Sequence, residues 1–248
     1  MNSLVIEFDK VRFIIFDFDG VLFNGLEAIQ LGVREAVQKH GLDVDFDRAV
    51  NDIAALIQDL MPMPIPKIVL SSYTLLGKVE FLKEKSFFKK LQIGLSVYQS
   101  YLKHVEDMAL FDGTGEMLEI LQGKGIRFAI FTSGTRASVM EKLERCNAAR
   151  YFSEDMIIGA GEVSPGRVKP DPQGIEIIFE KAGLSRDLLD QGGIVMVGDM
   201  YTDIEAGKSA FGGKGVKTVG IKSGYDARIV DAQPDLLLEK TTQLLASF

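Results

Sequence analysis

The chain has 248 residues, of which 46% are hydrophobic, enough for one large α/β domain or for a core with an inserted subdomain. Its net charge of −7 disfavours binding to nucleic acid or to an anionic membrane surface. The single cysteine, Cys146, excludes an intrachain disulfide and a thiolate zinc site. Neither a signal peptide nor a membrane-spanning run is expected, and the sequence therefore favours a cytoplasmic protein.

An apolar stretch near the N-terminus runs directly into two aspartates. Residues 13–16 are predicted to form a strand buried on both faces, as in parallel sheets, and Gly20 ends the segment. Because side chains alternate along a strand, Asp17 and Asp19 are expected to point the same way. Two carboxylates at a buried strand end favour a hard divalent cation, above all Mg²⁺. An acidic turn is the competing interpretation, and this stretch alone favours neither.

Residues 25–106 are predicted to form a helical cap domain inserted into an α/β core that comprises residues 1–24 and 107–248. Apolar residues recur at helical spacing in three stretches of the insertion. These stretches span residues 26–37, 46–60 and 87–105, and prolines at positions 62, 64 and 66 forbid a continuous helix after the second. The block interrupts the strand–helix alternation of the rest of the chain.

Strands and helices alternate from residue 111 onward. Apolar runs predict strands at 126–131, 156–159, 194–197, 216–220 and 235–238. Amphipathic segments between them predict helices at 115–123, 137–146, 173–182 and 202–210. This alternation predicts a doubly wound, Rossmann-like parallel sheet.

Polar residues follow three of the predicted strands where each strand ends. They are Asp17 with Asp19, Thr132 with Ser133, and Asp199. In open α/β sheets ligands bind beyond the carboxyl ends of the strands, so these side chains are expected to meet at one edge. Lys169 is a further candidate, because Pro170 and Pro172 stiffen the loop that carries it.

Four segments together resemble the motifs of the haloacid dehalogenase superfamily, in the branch with a helical cap that includes phosphoglycolate phosphatases and phosphomutases. Residues 17–21 match the first motif, Thr132 the second, Lys169 the third and residues 198–203 the acidic fourth. Each motif is weak alone, but four in the right order at the right structural positions are specific. The resemblance covers essentially the whole core.

The resemblance implies roles for the aspartates. Asp17 is the expected nucleophile, which forms an aspartyl-phosphate. Asp19 is the expected general acid and then the base that activates water. Mg²⁺ is expected to be held by Asp17, the backbone carbonyl of Asp19, and Asp199.

The resemblance also implies a phosphate-binding set. Thr132 and the backbone amides of the turn at Ser133 are expected to cradle phosphate oxygens, and Lys169 to supply positive charge. Asp203, one helical turn after Asp199, is expected to orient Lys169 or a metal-bound water.

The function that follows from these roles is a Mg²⁺-dependent phosphatase for a small phosphorylated metabolite. The alternative is a sugar-phosphate mutase, similar to beta-phosphoglucomutase, which shares the motifs but returns the phosphoryl group to a sugar. A dehalogenase is disfavoured because that reaction has no need of the aspartate at Asp19. A non-catalytic binding module is disfavoured because all four motifs are intact. Neither the substrate nor the oligomeric state follows from the sequence.

Overall fold

The computed structural model describes residues 6–60 and 76–248, with only the backbone described at positions 51, 54, 55, 57–60 and 227. The chain divides into two compact units. The first comprises residues up to Phe23 and from Ala109 onward, and the second runs from Asn24 to Met108. The three prolines of the sequence analysis, at 62, 64 and 66, lie outside the described residues.

The first unit is built on a six-stranded sheet in which every pairing is parallel. The strands are β1 (Phe13–Phe16), β2 (Arg127–Phe131), β3 (Ile157–Ile158), β4 (Ile194–Gly198), β5 (Val216–Ile221) and β6 (Leu236–Leu238). Their order across the sheet is β3-β2-β1-β4-β5-β6. The prediction of an α/β fold on a parallel sheet is confirmed.

Helices alternate with these strands and also make up the second unit. In the second unit, where residues 61–75 are not described, they include α1 (Gly25–His40), α2 (Phe46–Leu60) and α3 (Phe87–Val105). In the first unit they are α4 (Thr114–Gly123), α5 (Arg136–Arg145), α6 (Gln173–Lys181), α7 (Arg186–Asp190) and α8 (Tyr201–Ser209). The sequence pattern did not predict the short helix α7. No helix in the described part of the chain is both long enough and apolar enough to cross a membrane.

The sheet packs an apolar face against helices of the first unit. Phe13 and Ile15 of β1 belong to a buried cluster that also includes Ile175 and Ile178 of α6 and Ala206 of α8. All four residues of β1 are buried, which accounts for its unbroken apolar sequence.

The central strand sets the edge where the candidate residues emerge. Phe16 of β1 is in register with Ile130 of β2 and Val197 of β4. The backbone N–H of Asp17 continues the pairing by donating to the carbonyl of Val197 at 2.8 Å. Strands β2 and β3 lie on one side of β1, and β4 to β6 lie on the other. The strand order therefore changes direction between β1 and β4, which is where ligands bind in open α/β sheets.

The second unit has its own helix packing. A Cβ atom on Gly32 of α1 would lie 3.0 Å from the backbone oxygen of Val97 and 3.1 Å from the nitrogen of Tyr101, so glycine lets α1 and α3 approach closely. His104 of α3 also contacts Glu35 of α1, with Nε2 2.8 Å from Oε1. A close backbone approach and a polar side-chain contact therefore join these two helices within the unit.

Candidate active site

A buried lysine lies between two buried carboxylates at the carboxyl edge of the sheet. Lys169 donates from Nζ to Oδ1 of Asp17 at 2.5 Å and to Oδ1 of Asp203 at 2.6 Å. Its Nζ also lies 5.1 Å from the centre of the Phe131 ring. A charged group is stable at such depth only when it is paired and hydrogen-bonded, and Lys169 is both.

The two carboxylate oxygens of Asp203 accept hydrogen bonds from different groups. Oδ1 accepts from Lys169, whereas Oδ2 accepts from the backbone N–H groups of Asp199 at 3.1 Å and Met200 at 2.9 Å. These bonds satisfy backbone donors at the start of α8, where a negative charge is also favoured by the helix dipole. Asp203 therefore fixes the turn that carries Asp199 and contacts Lys169 at the same time.

Asp199 has one satisfied carboxylate oxygen and one without a partner. Its Oδ2 accepts from the Ser223 hydroxyl at 2.5 Å. Its Oδ1 is buried and has no hydrogen-bond partner among the residues that the structure describes. One carboxylate oxygen from each of Asp17, Asp199 and Asp203 lies within 4.8 Å of the others. A buried oxygen without a donor is costly, so this group is suited to holding a hard cation.

Burial and neighbouring charges shift the pKa values of Asp17, Asp199 and Lys169. Burial raises the pKa of Asp17 to about 7, opposed by the charge of Lys169 and reinforced by the charges of Asp203 and Asp19. Burial, followed by the charges of Asp17 and Asp203, raises the pKa of Asp199 well above its ordinary value. Burial alone would lower the pKa of Lys169, but the carboxylates of Asp17 and Asp203 outweigh it and raise the pKa. Lys169 alone is therefore insufficient to keep Asp17 and Asp199 ionised near neutral pH.

Asp19 lies outside this group. Its side chain keeps 28% of its surface exposed, and its Oδ1 accepts from Nζ of Lys142 at 2.9 Å. The strand ends at Phe16, and Gly20 then turns the chain at a φ of +87°, so strand alternation no longer sets the direction of Asp19. Asp19 is not one of the three carboxylates that lie within 4.8 Å of one another, and the shared direction of Asp17 and Asp19 stays a prediction.

The turn after Asp19 needs a glycine for two reasons. Its φ lies in the left-handed region that side chains disfavour. In addition, a Cβ atom on Gly20 would lie 2.1 Å from Oδ2 of Asp199 and 2.8 Å from Cδ2 of Tyr225. The backbone at Gly20 consequently passes directly beside the Asp199 carboxylate.

The second predicted motif forms a tight turn between β2 and α5. Thr132 is buried, and its Oγ1 accepts from the backbone N–H of Gly134 at 3.0 Å. Ser133 lies half-buried in the same turn. Since β2 is the neighbour of β1, Thr132 and Ser133 follow a strand adjacent to the one that leads into Asp17.

The sequence analysis missed two residues that hold the candidate carboxylates, Lys142 and Ser223. Lys142 is a buried lysine between Val139 and Leu143, which are the other buried residues of α5. A lysine on the apolar face of a helix was therefore the available signal. Ser223 follows β5, so the strand-end rule that identified Asp199 after β4 would have found it too.

A family model and several known proteins match this chain over most of its length. A family model described as haloacid dehalogenase-like hydrolase matches residues 14–221. Pyrophosphatase PpaX of Listeria monocytogenes is 26% identical over 240 residues, covering 96% of each chain. Phosphoglycolate phosphatase of Escherichia coli O157:H7 is 26% identical over 247 residues, covering 96% of this chain and 93% of its own.

A solved structure from Haemophilus somnus 129PT, described as a predicted phosphoglycolate phosphatase, shares the fold. Its TM-score is 0.67 at 20% identity, with 96% of this chain and 97% of that chain covered. At this identity the likeness extends to the fold alone.

Substitution of Gly20 tests the close approach of the turn to Asp199. We expect Gly20→Ala to lower the free energy of unfolding by at least ~2 kcal/mol, because its Cβ overlaps a carboxylate oxygen in addition to the left-handed φ. The matched control is Gly166→Ala, at a φ of +83° with nothing within 4 Å of the added atom. The control should cost only about 1 kcal/mol. Equal losses in denaturant unfolding would contradict the steric role of Gly20.

Proposed function

Because the chain belongs to the haloacid dehalogenase-like hydrolase family, we propose that it is a phosphatase acting on a small phosphorylated metabolite through an aspartyl-phosphate on Asp17. The family match confirms the sequence-based predictions of the family and of a hydrolase. The phosphatase names of its relatives support an enzyme of the phosphoric monoester hydrolase class. The observation that carries the mechanism is the buried Asp17 carboxylate, held by Lys169 at the end of the central strand.

Mg²⁺ is the proposed cofactor, held by Asp17, Asp199 and the backbone carbonyl of Asp19. The unpartnered Oδ1 of Asp199 and the excess of buried carboxylates support this assignment. When bound, Mg²⁺ would neutralise negative charge on the phosphoryl group and on the carboxylates that face it. Asp203 is proposed as a supporting residue that fixes Lys169 and the Asp199 turn.

The first half-reaction transfers the phosphoryl group to Asp17. A carboxylate oxygen of Asp17 forms a bond to phosphorus while the bond from phosphorus to the ester oxygen breaks. Asp19, as the protonated acid, gives its proton to the departing oxygen, so the product leaves as a neutral alcohol. Lys169, Thr132 and the turn at Ser133 bind the phosphoryl oxygens.

The second half-reaction returns the enzyme to its starting state. The carboxylate of Asp19 takes a proton from water as the water oxygen forms a bond to phosphorus. The bond between phosphorus and Asp17 breaks at the same time, which releases inorganic phosphate and regenerates the Asp17 carboxylate. Asp19 is then protonated for the next ester.

The unit from Asn24 to Met108 is proposed as a cap domain that restricts access to small substrates. Its compactness as a separate unit supports this interpretation. A cap that excludes water and large molecules suits metabolites better than phosphoproteins.

Asparagine substitutions separate the roles of the two aspartates. Asp17→Asn should abolish turnover because no nucleophile remains. Asp19→Asn should slow turnover roughly 10²- to 10⁴-fold and, with a good leaving group such as p-nitrophenol, accumulate phosphorylated Asp17. Mass spectrometry after acid quench measures this species. Asp47→Asn is the matched control and should keep full activity, because Asp47 is an exposed residue of a second Asp-Phe-Asp triplet at the start of α2. Phosphate on another residue would refute the mechanism.

The raised pKa of Asp17 predicts that Mg²⁺ binding depends on pH. Below about pH 7 the Asp17 carboxyl is mostly protonated and cannot ligate, so a proton must leave for the metal to bind. Because the pKa of Asp199, the second proposed ligand, is also raised, the apparent Mg²⁺ affinity should rise at least ~10-fold per pH unit as the pH approaches 7. Calorimetric titration in buffers of different ionisation enthalpy measures both the affinity and the protons released. An affinity that is constant from about pH 5.5 to 8.5 would contradict this shift.

A substrate panel distinguishes the phosphatase from the mutase alternative. The panel contains phosphoglycolate and pyrophosphate, after the names of the relatives, and hexose 1-phosphates with a trace of bisphosphate primer. Because water is the proposed acceptor, at least one compound should release phosphate and no isomeric sugar phosphate should form. Formation of the isomer with negligible phosphate release would replace the phosphatase by the mutase.

A further inference from the structure

Lys142 is a second buried lysine beside the first motif. It lies in α5, and only 8% of its side-chain surface is exposed. The other buried residues of this helix are Val139 and Leu143, so Lys142 occupies its apolar face. A lysine is rarely found at such a position unless a specific partner offsets the loss of water.

The contacts of Lys142 converge on the turn from Phe18 to Phe23. Its Nζ donates to Oδ1 of Asp19 at 2.9 Å. The same Nζ lies 4.7 Å from the centre of the Phe23 ring and 5.5 Å from that of Phe18. The two rings are stacked on each other, 5.5 Å apart with an interplanar angle of 10°. The ammonium group is therefore held by one carboxylate and by two aromatic faces.

The turn itself is closed by backbone hydrogen bonds. The N–H of Phe23 donates to the carbonyl of Phe18 at 3.0 Å, and the N–H of Gly20 donates to the carbonyl of Phe23 at 2.9 Å. The two rings that contact Lys142 are thus the two ends of the turn that carries Asp19. Lys142 binds the turn at both ends and at the carboxylate between them.

We propose that Lys142 is a positioning residue that fixes the Asp19 carboxyl group for proton transfer to the leaving group. The inference rests on the acid and base role of Asp19 in the proposed function. Asp17 and Asp19 are two residues apart, and each is paired with its own buried lysine, Lys169 and Lys142. Lys169 links Asp17 to Asp203, within the cluster of three buried carboxylates. Lys142 pairs with Asp19, which is not part of that cluster.

Positioning of this kind has a specific kinetic signature. A general acid contributes most when the leaving oxygen is strongly basic and little when the leaving group departs unaided. Displacement of Asp19 should therefore reduce kcat/KM, which reports the first half-reaction, in proportion to the basicity of the leaving group. Damage to the fold or to phosphate binding would lower kcat/KM equally for every ester.

The experiment compares p-nitrophenyl, phenyl and benzyl phosphate, which have similar shapes and increasingly poor leaving groups. We expect Lys142→Met to lower kcat/KM for benzyl phosphate roughly 10- to 100-fold, with less than about a threefold loss for p-nitrophenyl phosphate. Lys142→Arg keeps the charge and should recover most of the loss. Lys208→Met, which removes a half-buried lysine of α8 bonded to the Ala232 carbonyl, is the matched control and should leave all three values unchanged.

Asp19→Asn, alone and combined with Lys142→Met, separates this inference from the proposed function. If Lys142 acts through Asp19, the double variant should be no more sensitive to the leaving group than Asp19→Asn alone. A steep dependence in Asp19→Asn with a uniform loss in Lys142→Met would overturn only the role of Lys142. A further leaving-group effect of Lys142→Met in the Asp19→Asn background would also overturn it, since Lys142 would then act directly. No leaving-group dependence in Asp19→Asn would overturn the acid role of Asp19, and the inference with it.

A folding defect in Lys142→Met is recognised by thermal unfolding followed by circular dichroism. In that case the leaving-group dependence of kcat/KM is compared between Lys142→Arg and Lys142→Gln instead. Both keep hydrogen-bond donors, but only arginine keeps the charge that pairs with Asp19. The leaving-group dependence should be near normal for arginine and steep for glutamine, and equal behaviour of the two would refute a role for the ion pair.

Discussion

The site depends on the burial of three carboxylates around one ammonium group. Asp17, Asp199 and Asp203 lie together with Lys169 in a region from which water is largely excluded. Burial, reinforced by repulsion between the carboxylates, raises the pKa values of Asp17 and Asp199. In addition, Oδ1 of Asp199 has no donor in the described part of the chain. A cation would relieve both effects, so the same imbalance that costs stability provides affinity for a metal.

The close approach of these carboxylates also accounts for two glycines. A Cβ on Gly20 would overlap a carboxylate oxygen of Asp199, and a Cβ on Gly198 would lie 2.1 Å from Cβ of Asp203. Gly20 follows the central strand and Gly198 ends its neighbour, so both lie where the backbone must pass a buried side chain. The first and fourth motifs therefore depend on each other through space, although about 180 residues separate them along the chain.

The sequence predicted the parts of the site that depend on local rules. Strands β1, β2 and β4 were recognisable from apolar runs, and the strand-end rule placed Asp17, Thr132 and Asp199 at one edge. The shared direction of Asp17 and Asp19 stays a prediction, since β1 ends at Phe16 and strand alternation is expected only while the chain is extended.

The contacts that the sequence analysis missed are all set by tertiary packing. Lys142 lies 123 positions from Asp19, and its role depends on how α5 packs beside the turn rather than on any motif. Ser223 meets Asp199 only because β5 pairs with β4. The roles of the site residues and of the cap remain predictions, since geometry alone does not assign chemistry.

The turn that carries Asp19 lies beside the boundary between the two units, and Lys142 contacts it there. The turn continues from Phe23 directly into the helical unit at Asn24. At the point of insertion, Phe23 forms an antiparallel bridge with Leu110, and the N–H of Phe111 donates to the carbonyl of Leu22 at 3.0 Å. Asp19 lies four residues before Phe23 along the chain, whereas the backbone N–H of Asp17 is bonded to Val197 of β4. The contacts of Lys142 with Phe18, Asp19 and Phe23 join this turn to α5, which belongs to the same unit as β1.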